Sequence, residues 1–227
     1  MLITWNESAQ DLSFQRSLLP HVDDAISIDN SQSNLVPNIA DRLESVYSEA
    51  GSWIMAERLR KVVLDYFMMV KGKENKATLT RISGLASSYW NRGQLTEAEK
   101  LEKEVLEIRK RVLGPEHPAI LSSMNNLALT YLDLGQLNEA EKLHKEVLEI
   151  RKRVLGPEHP HTLASMHNLA YTYSKQTRWE EAVELMARVV EGRKQVLGDE
   201  HPRTVGSVEA LEDFQLAHKK TQQADDI

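Results

Sequence analysis

The 227-residue sequence predicts an all-α fold made of repeated helix pairs. Three observations point there. Apolar residues fall at helical spacing, the pattern returns every 42 residues, and glycine and proline mark the breaks between apolar runs.

The repeat is explicit at single positions. Leu43, Leu85, Leu127, Leu169 and Leu211 stand 42 residues apart, as do Tyr47, Tyr89, Tyr131 and Tyr173. Ala56, Ala98, Ala140 and Ala182 form another series, and Val63, Val105, Val147 and Val189 a further one. Residues 93–118 match residues 135–160 except at Thr96/Asn138 and Glu102/His144. Such self-similarity implies an array in which each unit buries its apolar face on its neighbours.

The elements follow in order. Residues 1–30 form an N-terminal segment, irregular over 1–10 and then a lead-in helix kinked near Pro20. A degenerate repeat occupies 31–75, with a helix pair within 33–72. Full repeats span 76–117, 118–159 and 160–201, with helix pairs over 76–113, 118–155 and 160–197. In each pair the first helix is termed A and the second B. In the 118–159 copy, Leu121, Met124, Leu127, Ala128 and Tyr131 form one face of helix A. Gly135 suits its C-terminus. Leu137, Ala140, Leu143, Val147, Leu148 and Ile150 point inward from helix B. On its other side Glu141 precedes Lys145, and Glu149 precedes Arg153, by four residues, the favourable order for ion pairs. A capping helix is expected over 202–220. There Val205, Val208 and Leu211 continue the apolar face, while Glu209, Glu212, Asp213, Lys219 and Lys220 supply the polarity that an end element needs. Residues 221–227 read as a disordered tail.

The breaks carry a motif. "GPEHP" stands at 114–118 and 156–160, and "GDEHP" at 198–202. The glycine ends helix B, the last proline suits the first position of the next helix A, and the histidine falls near its N-cap. Three His-Glu pairs could suggest a metal. Packed helices, however, lie roughly 8–10 Å apart, and metal–ligand bonds are only about 2 Å. The motif is therefore read as punctuation, with no metal site.

Composition excludes several functions. The formal charge is −6, with acids and bases intermixed, so there is no footprint for nucleic acid or an anionic membrane. The basic clusters at 109–111 and 151–153 follow glutamates and sit near helix C-termini, where cations complement the dipole. Cysteine is absent, which removes disulfides, thiol nucleophiles and cysteine metal sites. No GxxxxGK[ST], HExxH or GxSxG pattern occurs. No basic start with a long apolar run suggests a signal peptide, and no stretch nears the roughly 20 apolar residues of a membrane span. The expectation is a soluble, cytoplasmic, non-catalytic protein without cofactor, nucleic-acid partner or membrane partner.

Leu127, Ala128, Tyr131 and Ala140 have the spacing of the tetratricopeptide signature. With "NNLALTY", "LNEAEKLHKEVLEIRKRVLGPEHP" and "TLASMHNLAYTY", the chain resembles the 42-residue tetratricopeptide repeat of kinesin light chains. It is also similar to the arrays that close many fungal NOD-like receptors. The resemblance is specific over 76–202 and weaker over 31–75, where "GSWIMAERLRKVVLDYFMMVKGKE" keeps the period but not the wording. "FQRSLLPHVDDAISID" at 14–29 resembles the lead-in to the receptor arrays, and the near-identity of neighbouring copies fits the receptor better. No heptad coiled coil precedes the repeats, as a kinesin light chain would require. The resemblance implies a right-handed α–α superhelix, a tetratricopeptide repeat solenoid. It further implies a protein–protein interaction module, the sensor or scaffold part of a larger receptor-like protein of which this chain is expected to be a fragment. The alternative is a self-associating structural or adaptor protein of kinesin-light-chain type.

In such arrays the A helices line the concave side, so the resemblance selects the stripe beside each core face. In the first full copy this is Thr80, Ser83, Ser87, Trp90 and Asn91. In the second it is Ser122, Asn125, Leu129, Leu132 and Asp133, with Asn126 at its edge. In the third it is Ala164, His167, Tyr171, Ser174 and Lys175, with Asn168. A protein or peptide ligand is expected there, with asparagines pairing to its backbone and apolar residues selecting side chains. Lys175 is the only lysine or arginine on the last two stripes, which argues against a carboxylate clamp or an acidic cargo peptide.

Overall fold

A computed structural model describes residues 53–225, and among them eight α-helices and no strand. The expectations for residues 1–52 lie outside the described residues. The chain divides into two compact units, Met1–Arg92 and Gly93–Ile227. The described part of the first holds α1 (Trp53–Lys71) and α2 (Lys76–Asn91). The second holds α3 (Leu95–Leu113), α4 (Pro118–Asp133), α5 (Leu137–Leu155), α6 (Pro160–Lys175), α7 (Trp179–Leu197) and α8 (Pro202–Asp225). Helices α2, α4, α6 and α8 are of type A, and the others of type B.

Local chemistry fixes where each helix stops and the next begins. Gly114, Gly156 and Gly198 cap α3, α5 and α7 with φ of 81°, 91° and 89° and ψ near 160°. Side-chain-bearing residues almost never adopt that conformation. Three residues on, the Nδ1 atoms of His117, His159 and His201 accept hydrogen bonds from the backbone N–H of Ala119, His161 and Arg203, each at 3.1 Å. Proline then occupies the first helical turn of α4 and α6. The histidines are N-caps. In the first unit the equivalent residue is Asn75, whose Oδ1 accepts from Ala77 N at 2.9 Å with φ and ψ of −65° and 137°. His117 has −64° and 133°, so either side chain serves the same backbone.

The core is laid down by the periodic residues. Ala98, Ala140 and Ala182 are fully buried, and in the second unit Ala140 and Ala182 let the A and B helices of a pair approach closely. In the second unit Leu106, Leu121, Met124, Leu127, Tyr131 and Val147 form one cluster, and Leu148, Met166, Leu169, Met186, Val189 and Phe214 belong to the next. Leu148 therefore packs with the repeat after its own. In the first unit Val63 and Phe67 of α1 and Ile82 and Leu85 of α2 are buried.

A polar clamp ties each B helix to the next A helix. The Arg109 guanidinium donates to Ala119 O at 3.3 Å and to Ser123 Oγ at 2.6 Å. Arg151 donates to His161 O at 3.1 Å and Ser165 Oγ at 2.8 Å, and Arg193 to Arg203 O at 2.9 Å and to Ser207 Oγ. Arg109 and Arg151 were expected on a solvated helix end. The position of all three arginines, one turn beyond Val105, Val147 and Val189, turns them inward instead. In the first unit the roles are exchanged: Phe67 stands at the arginine position, Arg81 at the serine position, and the Arg81 guanidinium lies 5.3 Å from the Phe67 ring centre.

Three other expectations are corrected. Glu141 does pair with Lys145 at 2.6 Å, but Glu149 pairs with Lys152, while Arg153 reaches Glu116 in the preceding loop at 2.6 Å. In α8 the buried residues are Thr204, Ser207, Ala210 and Phe214, which face α7, whereas Val205 is exposed and Val208 and Leu211 are only half-buried. No helix follows α8 among the described residues, so the face that α4 and α6 turn to their own B helix has no partner there. Finally, residues 221–225 are helical rather than frayed, because no glycine or proline stops them and Thr221 Oγ1 donates to Ala217 O at 3.1 Å.

Two stability changes are expected. Replacing His117, His159 and His201 by Asn should leave thermal melts nearly unchanged, whereas Ala at the same sites should cost about 1 kcal/mol each. Equal losses for Asn and Ala would contradict the capping role. Thr177 has φ of 59° where the equivalent turns carry Gly93 and Gly135 at 72° and 73°. A β-branched residue is strained there, so Thr177→Gly should raise stability by about 1 kcal/mol in denaturant titrations. A lower midpoint for the glycine variant would show that the turn is unstrained.

Candidate functional site

An A helix has two flanks committed to packing. In α4, Ile120, Leu121, Ser123, Met124, Leu127, Ala128, Thr130 and Tyr131 are buried. What remains is a stripe of Ser122, Asn125, Asn126, Leu129, Leu132 and Asp133, all half-buried or exposed. Leu132 is partly spent on the core, since it packs against the α3–α5 cluster. Ser122 Oγ donates to Pro118 O at 3.1 Å, leaving its lone pairs outward. In α6 the stripe holds His167, Asn168, Tyr171 and Lys175, while Ala164 is half-buried. Ser174, expected on this stripe, is buried, and its hydroxyl donates to Tyr171 O at 2.8 Å.

The structure brings the α4 and α6 stripes together. Asn168 Nδ2 donates to Asn125 Oδ1 at 2.7 Å, one A helix to the next. The two asparagines are therefore partly engaged with each other, and Asn126 is the neighbouring amide without such a bond. On α6 the His167 and Tyr171 rings lie 5.1 Å apart, and Tyr171 sets its edge against Phe214 of α8 at 5.3 Å. Tyr171, 40% exposed, is thus both a surface ring and a support for α8. Burial, helped by the Arg193 charge, pushes His167 down to about 4, so its imidazole is neutral at pH 7. The remaining expected residues lie in the first unit on α2. Thr80, Ser87, Trp90 and Asn91 are exposed and Ser83 half-buried, with Ser83 and Ser87 donating to Leu79 O and Ser83 O. A cleft of about 640 Å³ in that unit, lined by Val63, Phe67 and Arg81, takes in only Thr80 of the stripe.

Sequence reading missed residues that extend the stripe. Glu209 and Asp213 of α8 stand where Asn125/His167 and Leu129/Tyr171 stand in the earlier copies, and both are exposed. The face therefore grades from amides and leucines on α4 to carboxylates on α8. The 42-residue register alone would have placed them.

Behind this face the B helices of the second unit carry a row of unlike buried side chains, one per helix. Glu102 lies by Thr130 and the His144 ring is 2.8 Å from the Thr172 hydroxyl, while at the equivalent position of the first unit half-buried Arg60 donates to Ser88. Met186 completes the row. Glu102 Oε2 and His144 Nε2 have no hydrogen bond. Burial raises Glu102 to about 7, eased in part by Thr130 and reinforced by Glu99. Burial alone lowers His144 to about 4. A further cluster sits at the α6–α7 turn. Burial opposes ionisation of Glu141, but hydrogen bonds from Lys145, Arg178 and Gln176 outweigh it and hold the carboxyl near 2.

Among the described residues no three His, Asp or Glu side chains are placed to hold a metal ion. None of the described helices is long and apolar enough to cross a membrane.

The sequence matches the family described as tetratricopeptide repeat over residues 75–153 and 125–195. No curated protein matches it. A solved structure of Podosopora anserina kinesin light chain nearly identical TPR-like repeats is 32% identical, with a TM-score of 0.69, covering 83% of this chain and 90% of that one. BtubC from P. vanneervenii is 18% identical, with a TM-score of 0.73, covering 96% and 88%. A Rap protein complexed with Competence and Sporulation Factor is 13% identical, with a TM-score of 0.66, covering 98% of this chain and 64% of that one. The last two show likeness of fold alone.

The buried row gives a pH signature. Folded Glu102 holds its proton more tightly than unfolded, so its contribution is complete below pH 4.5 and is lost as pH rises through about 7. Folded His144 holds its proton less tightly, so its contribution is complete above pH 6.5 and is lost as pH falls through about 4. Melts across this range should show Glu102→Gln gaining on the parent as pH rises. His144→Met, the residue of the third copy, should gain as pH falls. Profiles parallel to the parent's would contradict both assignments.

Proposed function

This chain belongs to the tetratricopeptide-repeat family, and from that premise we propose that it is a non-catalytic protein-interaction module that binds an extended peptide or protein segment on its A-helix face. No enzyme family is indicated by its relatives. One observation carries the reading: the Asn168–Asn125 bond joins the α4 and α6 stripes into one surface that the core does not use. On that surface Asn126 and the free amide hydrogens of Asn125 pair with a ligand backbone, while Leu129 and Tyr171 contact its side chains. Glu209 and Asp213 favour a basic residue at the α8 end. A Rap protein of similar fold was solved complexed with Competence and Sporulation Factor, which fits a partner-binding role. The near-identity of residues 93–118 and 135–160 supports a setting as the sensor or scaffold of a larger receptor-like protein, and the cysteine-free composition supports a cytoplasmic one.

A random-peptide display selection against the full chain tests the assignment. Selected peptides should lose roughly 2 kcal/mol or more of affinity on Asn126→Ala with Leu129→Ser, because a few central residues usually carry most of an interface's energy. A control on the exposed side of α5, Lys142→Ala with Glu146→Ala, should keep them. Binding retained by the first variant and lost by the second would place the site on the B helices.

A further inference from the structure

Helix α8 is 24 residues long where α4 and α6 have 16. Lys219 and Lys220 therefore lie beyond Ala217, the position that matches the last residue of α6. The inner side of α8 is fixed by buried Thr204, Ser207 and Phe214. Leu216, 54% exposed, stands on the opposite side, and Val205, Glu209, Glu212, Asp213, Lys219 and Lys220 all fall within about 60° of it around the helix. All are exposed.

The charges on this face are left without partners. In α3 and α5, Lys103 and Lys145 each have a glutamate four residues earlier, at 2.5 and 2.6 Å. In α8 the residues four before Lys219 and Lys220 are Gln215 and Leu216, while Glu209 and Asp213 are like charges four apart, which weakens a helix. Among the described residues none of these charged side chains has an ion-pair partner. Nor is the face shaped for a further B helix. Glu212 stands where Ala128 and Ala170 are fully buried, so such a helix would bury a lone carboxylate. Acid before Leu216 and base after it make the face complementary to itself when reversed.

We propose that α8 pairs, antiparallel, with α8 of a second copy of the chain, about a two-fold axis at Leu216. Leu216 meets its counterpart, Glu212 of each copy meets Lys219 of the other, and Asp213 meets Lys220, an isologous contact. One helix per copy covers less than the roughly 800 Å² per partner of a stable complex, so the association is weak and reversible. It takes Asp213 from the end of the A-helix face but does not use Asn126 or Leu129, so it stands or falls apart from peptide binding.

Sedimentation equilibrium of the full chain from micromolar to millimolar concentration reads it directly. The weight-average mass should rise from 25.9 kDa towards twice that value. Glu212→Lys with Asp213→Lys should hold it at the single-chain mass, and so should Lys219→Glu with Lys220→Glu. An equal mixture of these two variants should associate again, because every facing pair is then opposite in sign. Mixing would not cure a packing defect, so the restored mass separates charge pairing from damage to the fold. The chain has no cysteine, so Leu216→Cys introduces a single thiol. Under mild oxidation it should link to itself far faster than Val154→Cys, which is 53% exposed on α5. Where a charge variant fails to fold, this comparison decides. The proposal is overturned if the parent stays at 25.9 kDa throughout, if either folded charge variant alone associates like the parent, if the mixture stays at the single-chain mass, or if the two cysteine variants link at equal rates.

Discussion

The contact between each B helix and the following A helix is the constraint on which the second unit depends. A single helix pair cannot bury the apolar faces of both its members, and stacking supplies the missing partner. The arginine clamp marks that contact three times over, at Arg109, Arg151 and Arg193, reaching a carbonyl in the first turn of the next helix and a serine hydroxyl one turn later. Each guanidinium is at least half-buried, and burial lowers its pKa, so the fixed acceptors offset a desolvation that would otherwise oppose the fold. The clamp also sets register, because both acceptors lie on successive turns of one helix.

That contact determines which side of an A helix is left for function. Helix α8 separates the flanks. Its buried residues, Thr204, Ser207 and Phe214, face the preceding helix, and the positions of Leu121 and Ala128 become exposed Val205 and Glu212. With one flank turned to the preceding B helix and one to its own, the third flank of α4 carries Asn125, Asn126 and Leu129. Tyr171 is less free than Leu129, because α8 supplies Phe214 beneath it. Array packing therefore draws on Tyr171 in the third copy and on Leu132 in the second, but leaves Leu129 out.

The period, the helix pairs, the tight alanines and the histidine caps were legible in the sequence. Each is set by local chemistry repeated at one spacing. The roles of Arg109 and Arg151 were not, since the same residue can solvate a helix end or clamp a neighbour, and only the angle at which helices cross decides. Glu102 and His144 stood out as one of only two mismatches between near-identical stretches, but their burial depends on the facing threonines of the next repeat. The Asn125–Asn168 bond joins residues of different register, 43 apart, so a comparison at the 42-residue period does not find it. The strain at Thr177 was hidden for another reason: a turn that accepts glycine twice gives no sign of what threonine suffers there.

Native-state hydrogen exchange on the full chain, with and without Arg151→Met, tests most directly whether stability resides between repeats. The account predicts that the core amides of α5 and α6 open together and that the substitution lowers their protection by the same factor. Contradiction would come from α6 keeping its protection while α5 alone loses it, each helix pair then being stable without the neighbour it clamps.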